Sequence, residues 1–429
     1  MMQAGFYKIL AAQFFSALAD NALFFAALAL LKSQQAPEWH LSMLLWGFTV
    51  SYVLIAPYAG ALADARPKNQ VMMICNGIKL FACLLMGLGA SPLWAYALVG
   101  LGAAAYSPAK YGLITESLAP AQLVAANGWL ESSTVFAIIL GTLLGGYLSG
   151  SFVSQWLAGN TLGHYLNGIE FSILIISLLY SIAAAINAAI ARPTTALKPL
   201  YLSPRYQIAV FYDCLWRLWR DPQGQVSMAI TTLFWGAGAT MRLVVLNWAL
   251  LWLAIDLESA TRLIAVVAVG IAIGALLAGR YVSLPHAFRV MPAGLLMGVL
   301  LIFMLWVNQI AVAALLLLLI GILSGFFVVP LNAVLQHRGQ QLMGAGHSIA
   351  VQNFNENLGI LIMVGLHALM IKYLSLPLAP NSSALLQVQY ATHGVPPMQM
   401  ILISFGLLVI ITMSAIMVHH HRQVLTHRR

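Results

Sequence analysis

Apolar runs long enough to cross a lipid bilayer recur from one end of this chain to the other. A membrane helix needs ~20 mostly apolar residues. Twelve stretches meet that requirement: 7–31, 41–63, 71–90, 93–114, 124–150, 166–191, 226–253, 260–281, 289–307, 310–335, 345–372 and 398–418. Backbone N–H and C=O groups find no water inside hydrocarbon, so such runs must close their hydrogen bonds internally, as helices. The pattern predicts an all-α membrane protein with twelve transmembrane helices. Composition agrees: 61% of the 429 residues are hydrophobic and 7% are charged, against ~25% charged in a soluble domain. The first run is too long for a removable signal and lacks a small-residue cleavage site, so it reads as a retained span.

An even number of spans puts both termini on one side. Placing that side in the cytoplasm leaves fifteen Lys and Arg residues on the cytoplasmic face, between Lys8 and Arg429 and including Arg192 and Arg428. Three, Lys32, Arg262 and Lys372, fall outside, and Lys79 and Arg242 fall within spans. Positive charge concentrates on the cytoplasmic side of membrane proteins, which fixes the expected orientation. The net charge of +9 then describes a basic face beside anionic membrane lipid rather than a surface for nucleic acid.

The longest inside connection divides the chain into a six-helix bundle over 1–191, a cytoplasmic linker over 192–225, and a second six-helix bundle with a basic tail over 226–429. The linker holds YDCLWRLWR, Tyr212 to Arg220, with its two tryptophans and two arginines each spaced by three. That spacing fits an amphipathic helix at the membrane interface and equally a plain linker helix. The two bundles echo each other. FFSALAD (14–20) matches FWGAGAT (234–240), and Pro108 precedes Glu131 by 23 residues as Pro330 precedes Glu356 by 26. Related halves are the architecture in which membrane transporters place a substrate site at the bilayer midplane.

Ionisable residues inside spans are costly and ordinarily face a cavity or a partner. Six stand out as candidates for a substrate pathway or gate: Asp20, Lys79, Lys110, Glu131, Arg242 and Glu356. Gln13, Ser16 and Asp20 share one face of the first span, and Thr231, Trp235, Gly238 and Arg242 share one face of the seventh. Gln352, Glu356 and Gly359, extended by Met363 and His367, line the eleventh. At 1.5 Å per residue, Asp20 and Arg242 lie at similar depths, on the order of 20–25 Å from the cytoplasmic ends of their helices. A charge pair between them is expected. Lys110 and Glu131 lie close enough to the interface to reach water, so packing and pathway readings both stand for them.

Catalytic and metal chemistry find little support. Cys75, Cys83 and Cys214 lack metal-site or disulfide-framework spacing, and His419–His421 reads as a solvated tail. No H-E-x-x-H, G-x-S-x-G or Walker A string occurs, and no loop is long enough for a soluble domain of ~50 residues. No enzyme activity, cofactor or metal is expected.

The connection GALADARPK, Gly60 to Lys68, resembles the loop motif of the major facilitator superfamily. Gly60, Leu62 and Asp64 match; Ala65 stands where Arg is usual, Arg66 is displaced by one, and Pro67 replaces Gly. Asp64 is placed to cap a neighbouring helix N-terminus and to pair with basic loop residues such as Arg66 and Lys68, latching the cytoplasmic side. In the fifth span the glycines of GTLLGGYLSG (141–150) permit close helix packing. Longer strings resemble the bacterial lysophospholipid transporters of that superfamily: ADNALFFAALALLK (19–32), GAAAYSPAKYG (102–112), FWGAG (234–238), GFFVVPLNAVLQ (325–336) and IAVQNFNEN (349–357). The segment 372–397 does not share the resemblance as clearly.

The resemblance implies a multi-pass protein of the bacterial inner membrane. It implies movement of lyso-phosphatidylethanolamine and lyso-phosphatidylglycerol from the outer to the inner leaflet by alternating access, with a cytoplasmic-side acyltransferase restoring the missing chain. Asp20, Lys110, Arg242 and Glu356 fall on polar positions it expects along the path. The alternative is a proton-coupled superfamily transporter of another small metabolite or drug, with Asp20 or Glu356 as the proton site.

Overall fold

A computed structural model describes residues 4–36, 39–161, 166–191, 197–201, 203–374 and 397–426. Arg192, Arg428, Arg429 and most of the segment 372–397 lie outside the described residues. The described chain is helical, with fourteen α-helices and short 3-10 turns. They are α1 (Ala4–Ser33), α2 (Trp39–Ala65), α3 (Lys68–Gly87), α4 (Pro92–Ser117), α5 (Leu123–Leu148), α6 (Ser151–Ala158) and α7 (Gly168–Ala188). There follow α8 (Pro204–Arg220), α9 (Pro222–Leu251), α10 (Leu257–Tyr281), α11 (Met291–Phe303), α12 (Ile310–Met343), α13 (Ala345–Leu374) and α14 (Met398–Thr426).

Among the described residues, eleven helical segments are long and apolar enough to cross a membrane. The remaining long helix, α4, has 26 residues and so a length of ~39 Å, more than the ~30 Å of a hydrocarbon core. It is less apolar because its neighbours are protein: Ala103, Ala104, Tyr106, Ser107 and Lys110 are all buried. Prolines do not end these helices. Pro57, Pro108 and Pro330 sit inside α2, α4 and α12, and α4 continues past Pro108 to Ser117. Lipid-type helices are apolar all round, and large side chains such as Leu54, Trp94, Phe136 and Ile411 point outward. The helix α8 is different. It buries Gln207, Phe211, Cys214 and Leu218 and exposes Tyr212 and Trp216, with the Arg220 guanidinium 4.7 Å from the Trp216 ring. This amphipathic helix begins at Pro204, eight residues before the aromatic-basic stretch that signals it in the sequence.

Contacts divide the chain into two compact units. One comprises Met1–Asp221 and Leu335–Phe354, the other Pro222–Val334 and Asn355–Arg429. In the first unit α1 packs on α4, α5 and α7, α3 packs on α4 and α7, and α2 packs on α4. Its core includes Leu23, Leu44, Met86, Val99, Ile176 and Tyr180. Close helix approach relies on missing side chains. A Cβ at Gly141 of α5 would lie 2.5 Å from the Leu18 carbonyl, and one at Gly145 would lie 2.7 Å from that of Ala22.

In the second unit α9 packs on α10 and α14, and α11 on α14, around Ile230, Val244, Trp248, Leu317, Leu402 and Met413. Here α10 and α12 meet through paired glycines four residues apart, Gly270 and Gly274 against Gly321 and Gly325. A Cβ at Gly274 would stand 1.9 Å from the Ile322 carbonyl oxygen, so no other residue fits.

Candidate functional site

The polar face of α1 reaches a different neighbour at each of its positions. At Asp20, one carboxylate oxygen lies 2.7 Å from the Lys79 ammonium of α3, and the other accepts a 2.8 Å bond from the Tyr180 hydroxyl of α7. At Ser16, the hydroxyl accepts from Lys79 at 3.1 Å and donates to the Asn76 carbonyl oxygen at 2.8 Å. At Gln13, the amide carbonyl accepts from the Lys110 ammonium of α4 at 3.0 Å, and the amide nitrogen donates to Thr134 of α5 at 2.8 Å. One stripe at i, i+3 and i+7 thus ties α1 to α3, α4, α5 and α7. Within its own unit both carboxylate oxygens of Asp20 already have partners, Lys79 and Tyr180; the pairing expected with Arg242 would join the two units. The sequence stripe on α1 shows which residues face inward; which of the neighbouring helices they meet depends on packing.

The two lysines of this seam are held differently. Lys79 is 1% exposed; it faces a carboxylate and lies 5.2 Å from the Tyr106 ring centre. Lys110, 7% exposed, is held by neutral groups, the Gln13 carbonyl and the Tyr111 ring, whose centre is 4.1 Å away. Glu131 is buried on α5 and accepts from the Tyr111 hydroxyl at 3.2 Å, so Tyr111 stands between the Lys110 cation and this acid. A cation whose hydrogen bond goes to an amide and whose neighbour is a π-face, with the Glu131 carboxylate acting on it only through space, keeps capacity for a direct anion contact. Tyr180, Asn76 and Tyr106 are members of the seam that sequence reasoning missed. Their signal was a hydroxyl or amide inside otherwise apolar helices, too common to single out.

A second cluster gathers around Asp64, at the end of α2. One oxygen accepts from the Gly346 backbone N–H at 2.7 Å, at the N-terminus of α13. The other lies 2.7 Å from His347 Nδ1 and 3.1 Å from the Lys198 ammonium. Lys68, one turn on, forms a 2.7 Å buried pair with Glu116 and stands 3.9 Å from Asp64. Gly60 completes the motif by absence: a Cβ there would lie 2.9 Å from both the His347 Cα and the Ala350 Cβ. Gly344 has φ +99°, a left-handed conformation that lets the chain turn from α12 into α13. Arg66 is exposed beside the cluster.

The same Leu335–Phe354 segment is fastened twice more. Gln336 and Asn127 exchange two amide hydrogen bonds of 2.9 Å, and Arg338 pairs with Asp221, its Nε donating to Oδ1 at 3.2 Å.

The second unit holds the other two candidates. Glu356 is 7% exposed on α13, and Arg242 is exposed on α9. Their helices cross closely at Gly236 and Gly359, where a Cβ on Gly236 would lie 2.9 Å from the Gly359 carbonyl oxygen. In the first unit the geometry is that of buried, hydrogen-bonded charge inside membrane-type helices, which ordinarily faces a pathway or a partner.

The family model for the Major Facilitator Superfamily matches residues 9–364. The lysophospholipid transporter LplT of Yersinia pestis (strain Pestoides F) is 43% identical over 373 residues, covering 87% of this chain and 88% of the relative. LplT of Yersinia pseudotuberculosis serotype O:3 (strain YPIII) shows the same identity and coverage. Solved structures share the fold at low identity. A single-residue variant of the E. coli fucose:proton symporter FucP gives a TM-score of 0.69 at 14% identity, over 96% of this chain and 98% of the symporter. The human organic anion transporter MFSD10 gives 0.68 at 15%, over 96% of this chain and all of the transporter.

Proposed function

Because the chain belongs to the major facilitator superfamily and, within it, to the lysophospholipid transporters, we propose that it carries lysophospholipids across the bacterial inner membrane. The substrates are lyso-phosphatidylethanolamine and lyso-phosphatidylglycerol, and movement runs from the outer to the inner leaflet. The chain performs no bond-making step of its own; an acyltransferase on the cytoplasmic side re-acylates what arrives. In this reading α4 is the twelfth span and both termini are cytoplasmic. The bundles over 1–191 and 226–429, joined by the linker, are the two repeats.

The observation that carries the reading beyond its family is Lys110. A phosphate requires a cation whose partners yield to it, and Lys110 is a buried ammonium held by an amide and an aromatic ring. Lys79 is neutralised by Asp20 and serves to fix α1 against α3. Transport then proceeds by alternating access. Asp20, Lys79, Lys110, Glu131, Arg242 and Glu356 line or gate the path, and the Gly60, Asp64, Arg66, Lys68 motif acts as the cytoplasmic latch by holding the N-terminus of α13.

The test is transport of headgroup-labelled lyso-phosphatidylethanolamine into cells with and without the protein, read as label appearing in diacyl lipid. Uptake that does not depend on the protein rejects the reading. Proton-driven uptake of a small polar solute, with no competition by lysolipid, would instead establish the alternative.

A further inference from the structure

The linker helix α8 turns two distinct edges away from the bundle. Its packed face is Gln207, Phe211, Cys214 and Leu218. Ile208, Tyr212 and Trp216, at i, i+4 and i+8, form an aromatic-apolar edge and are 43%, 60% and 57% exposed. Asp213, Arg217 and Arg220, at i, i+4 and i+7, form an exposed charged edge beside it. Arg217 pairs with Asp213 at 2.6 Å. Among the described residues Arg220 has the Trp216 ring as its neighbour, 4.7 Å from the guanidinium. Charge on α8 is unbalanced: Arg205, Arg217 and Arg220 stand against the single acid Asp213.

Two fixed points set where these edges look. The helix α9, which is long and apolar enough to cross a membrane, begins at Pro222, directly after α8. The Phe211 ring meets the Phe354 ring edge-on, with centroids 5.3 Å apart, and Phe354 lies ~14 Å along α13 from Ala345. The helix α8 also packs on α2. It therefore sits beside these helices, about two turns or more up their length, and not beneath them. In the orientation proposed above, its outward edges are level with the headgroups of the cytoplasmic leaflet.

We propose that the outward side of α8 binds anionic phospholipid of the cytoplasmic leaflet. Ile208, Tyr212 and Trp216 enter the boundary between headgroups and acyl chains, where aromatic rings are favoured. Arg217 and Arg220 take lipid phosphates, which a guanidinium meets with paired hydrogen bonds. Stacking on Trp216 holds Arg220 in place for this contact. Charge complementarity selects an anionic lipid over a zwitterionic one. Water would leave three large side chains bare along one stripe, and a soluble protein would have to displace headgroups to reach them.

The test uses the full chain in nanodiscs, with bimane on one cysteine introduced as Tyr212→Cys or Asp213→Cys in a Cys75→Ala, Cys83→Ala, Cys214→Ala background. Phospholipid brominated in its acyl chains quenches from the bilayer, and iodide quenches from water. The Tyr212→Cys label is expected to be quenched by the lipid and shielded from iodide, and the Asp213→Cys label the reverse. Equal iodide quenching at both positions would mean that α8 stands in water. Shielding of the Tyr212→Cys label from both quenchers would mean that protein covers this edge. Either result overturns the proposal.

Headgroup preference is read by comparing brominated phosphatidylglycerol with brominated phosphatidylcholine at the Tyr212→Cys label. Half-maximal quenching is expected at an about fivefold lower mole fraction of the anionic lipid, the effect of one arginine near the surface. Arg220→Gln should remove most of that preference, and Arg217→Gln less, because Asp213 already holds Arg217. Equal quenching by the two lipids, or a preference unchanged in the double variant Arg217→Gln with Arg220→Gln, overturns the proposal. Both leaflets of a nanodisc carry the same lipids, so these outcomes are independent of the direction the chain faces and of the substrate it carries.

Discussion

Lys79 reaches Asp20 at 2.7 Å from a side chain that is 1% exposed, while Tyr180 holds the opposite carboxylate oxygen at 2.8 Å. The pair joins α1, α3 and α7 at one point. Asp20→Ala leaves the ammonium buried and uncompensated, a loss of ~3–5 kcal/mol. A lower melting temperature and loss of transport are expected. The double substitution Asp20→Leu with Lys79→Met removes both charges and should recover most of the thermal stability in the same melting experiment. A double variant as unstable as Asp20→Ala would show that the pair is not what holds these helices.

Lys110 calls for a different outcome. Its hydrogen-bond partner is neutral and Glu131 acts on it only through space, so Lys110→Gln removes a charge without breaking a direct ion pair. The melting temperature is expected to move less than in Asp20→Ala. A charged hydrogen bond to phosphate is worth ~1.5–3 kcal/mol, so transport efficiency should fall by about ten- to a hundredfold. Normal transport by Lys110→Gln would return the lysine to a packing role.

The latch at Asp64 is open to a population measurement. Asp64→Asn weakens bonds to His347, Lys198 and the Gly346 N–H, each worth ~1.5–3 kcal/mol when charged. A cysteine placed at Ala345, which is 2% exposed, should then react with a membrane-impermeant thiol reagent applied from the cytoplasmic side at least about tenfold faster. An unchanged rate would mean that the contacts around Asp64 do not control access there.

Packing glycines make a paired prediction in the second unit. Gly274→Ala drives a methyl to 1.9 Å from the Ile322 carbonyl and should destabilise by ~1–3 kcal/mol or more. Gly365→Ala on α13 meets nothing within 4 Å and should stabilise by ~0.5–1 kcal/mol through helix propensity. Thermal melting of the two variants in one detergent distinguishes them by sign.

Cys214 on α8 gives a pH prediction. Burial, with a contribution from the neighbouring Asp213 carboxylate, pushes its thiol up to about 11. The reactive thiolate is therefore scarce at neutral pH. Maleimide labelling of Cys214 should be slow at pH 7 and rise about tenfold per unit through pH 10. Rapid labelling at pH 7 would mean that α8 does not keep its packed face covered.

Much of this was legible in the sequence because lipid leaves few options. Span positions follow from length and hydrophobicity, and α4 escapes the hydropathy criterion only because it is wrapped by other helices. The glycine spacing on α5 announced a close helix approach, and the partner proved to be α1. Asp64 could be placed at a helix N-terminus from its motif, and that helix proved to be α13, 282 residues away in sequence. The seam is where the reading fell short. Gln13, Ser16 and Asp20 were visible as one face, yet depth along a helix did not single out Lys79 as a partner of Asp20. Opposite charge and similar depth are necessary for pairing; proximity in the bundle decides it, and proximity is set by packing across α1, α3 and α7. The glycine pairs of α10 and α12 lay in runs where apolar residues mask any sign of contact.

The placement of Leu335–Phe354 in the first unit has a consequence for how this chain can be cut. Two compact units invite the idea that either would survive as a free polypeptide, with 221/222 as the natural point of severance. Residues 1–221 alone would keep Asp64, Asn127 and Asp221, each under a tenth exposed, but would lose Gly346, His347, Gln336 and Arg338, which satisfy them. The amino-terminal stretch is therefore not self-sufficient: its buried polar groups meet their partners only once Leu335–Phe354 has been made.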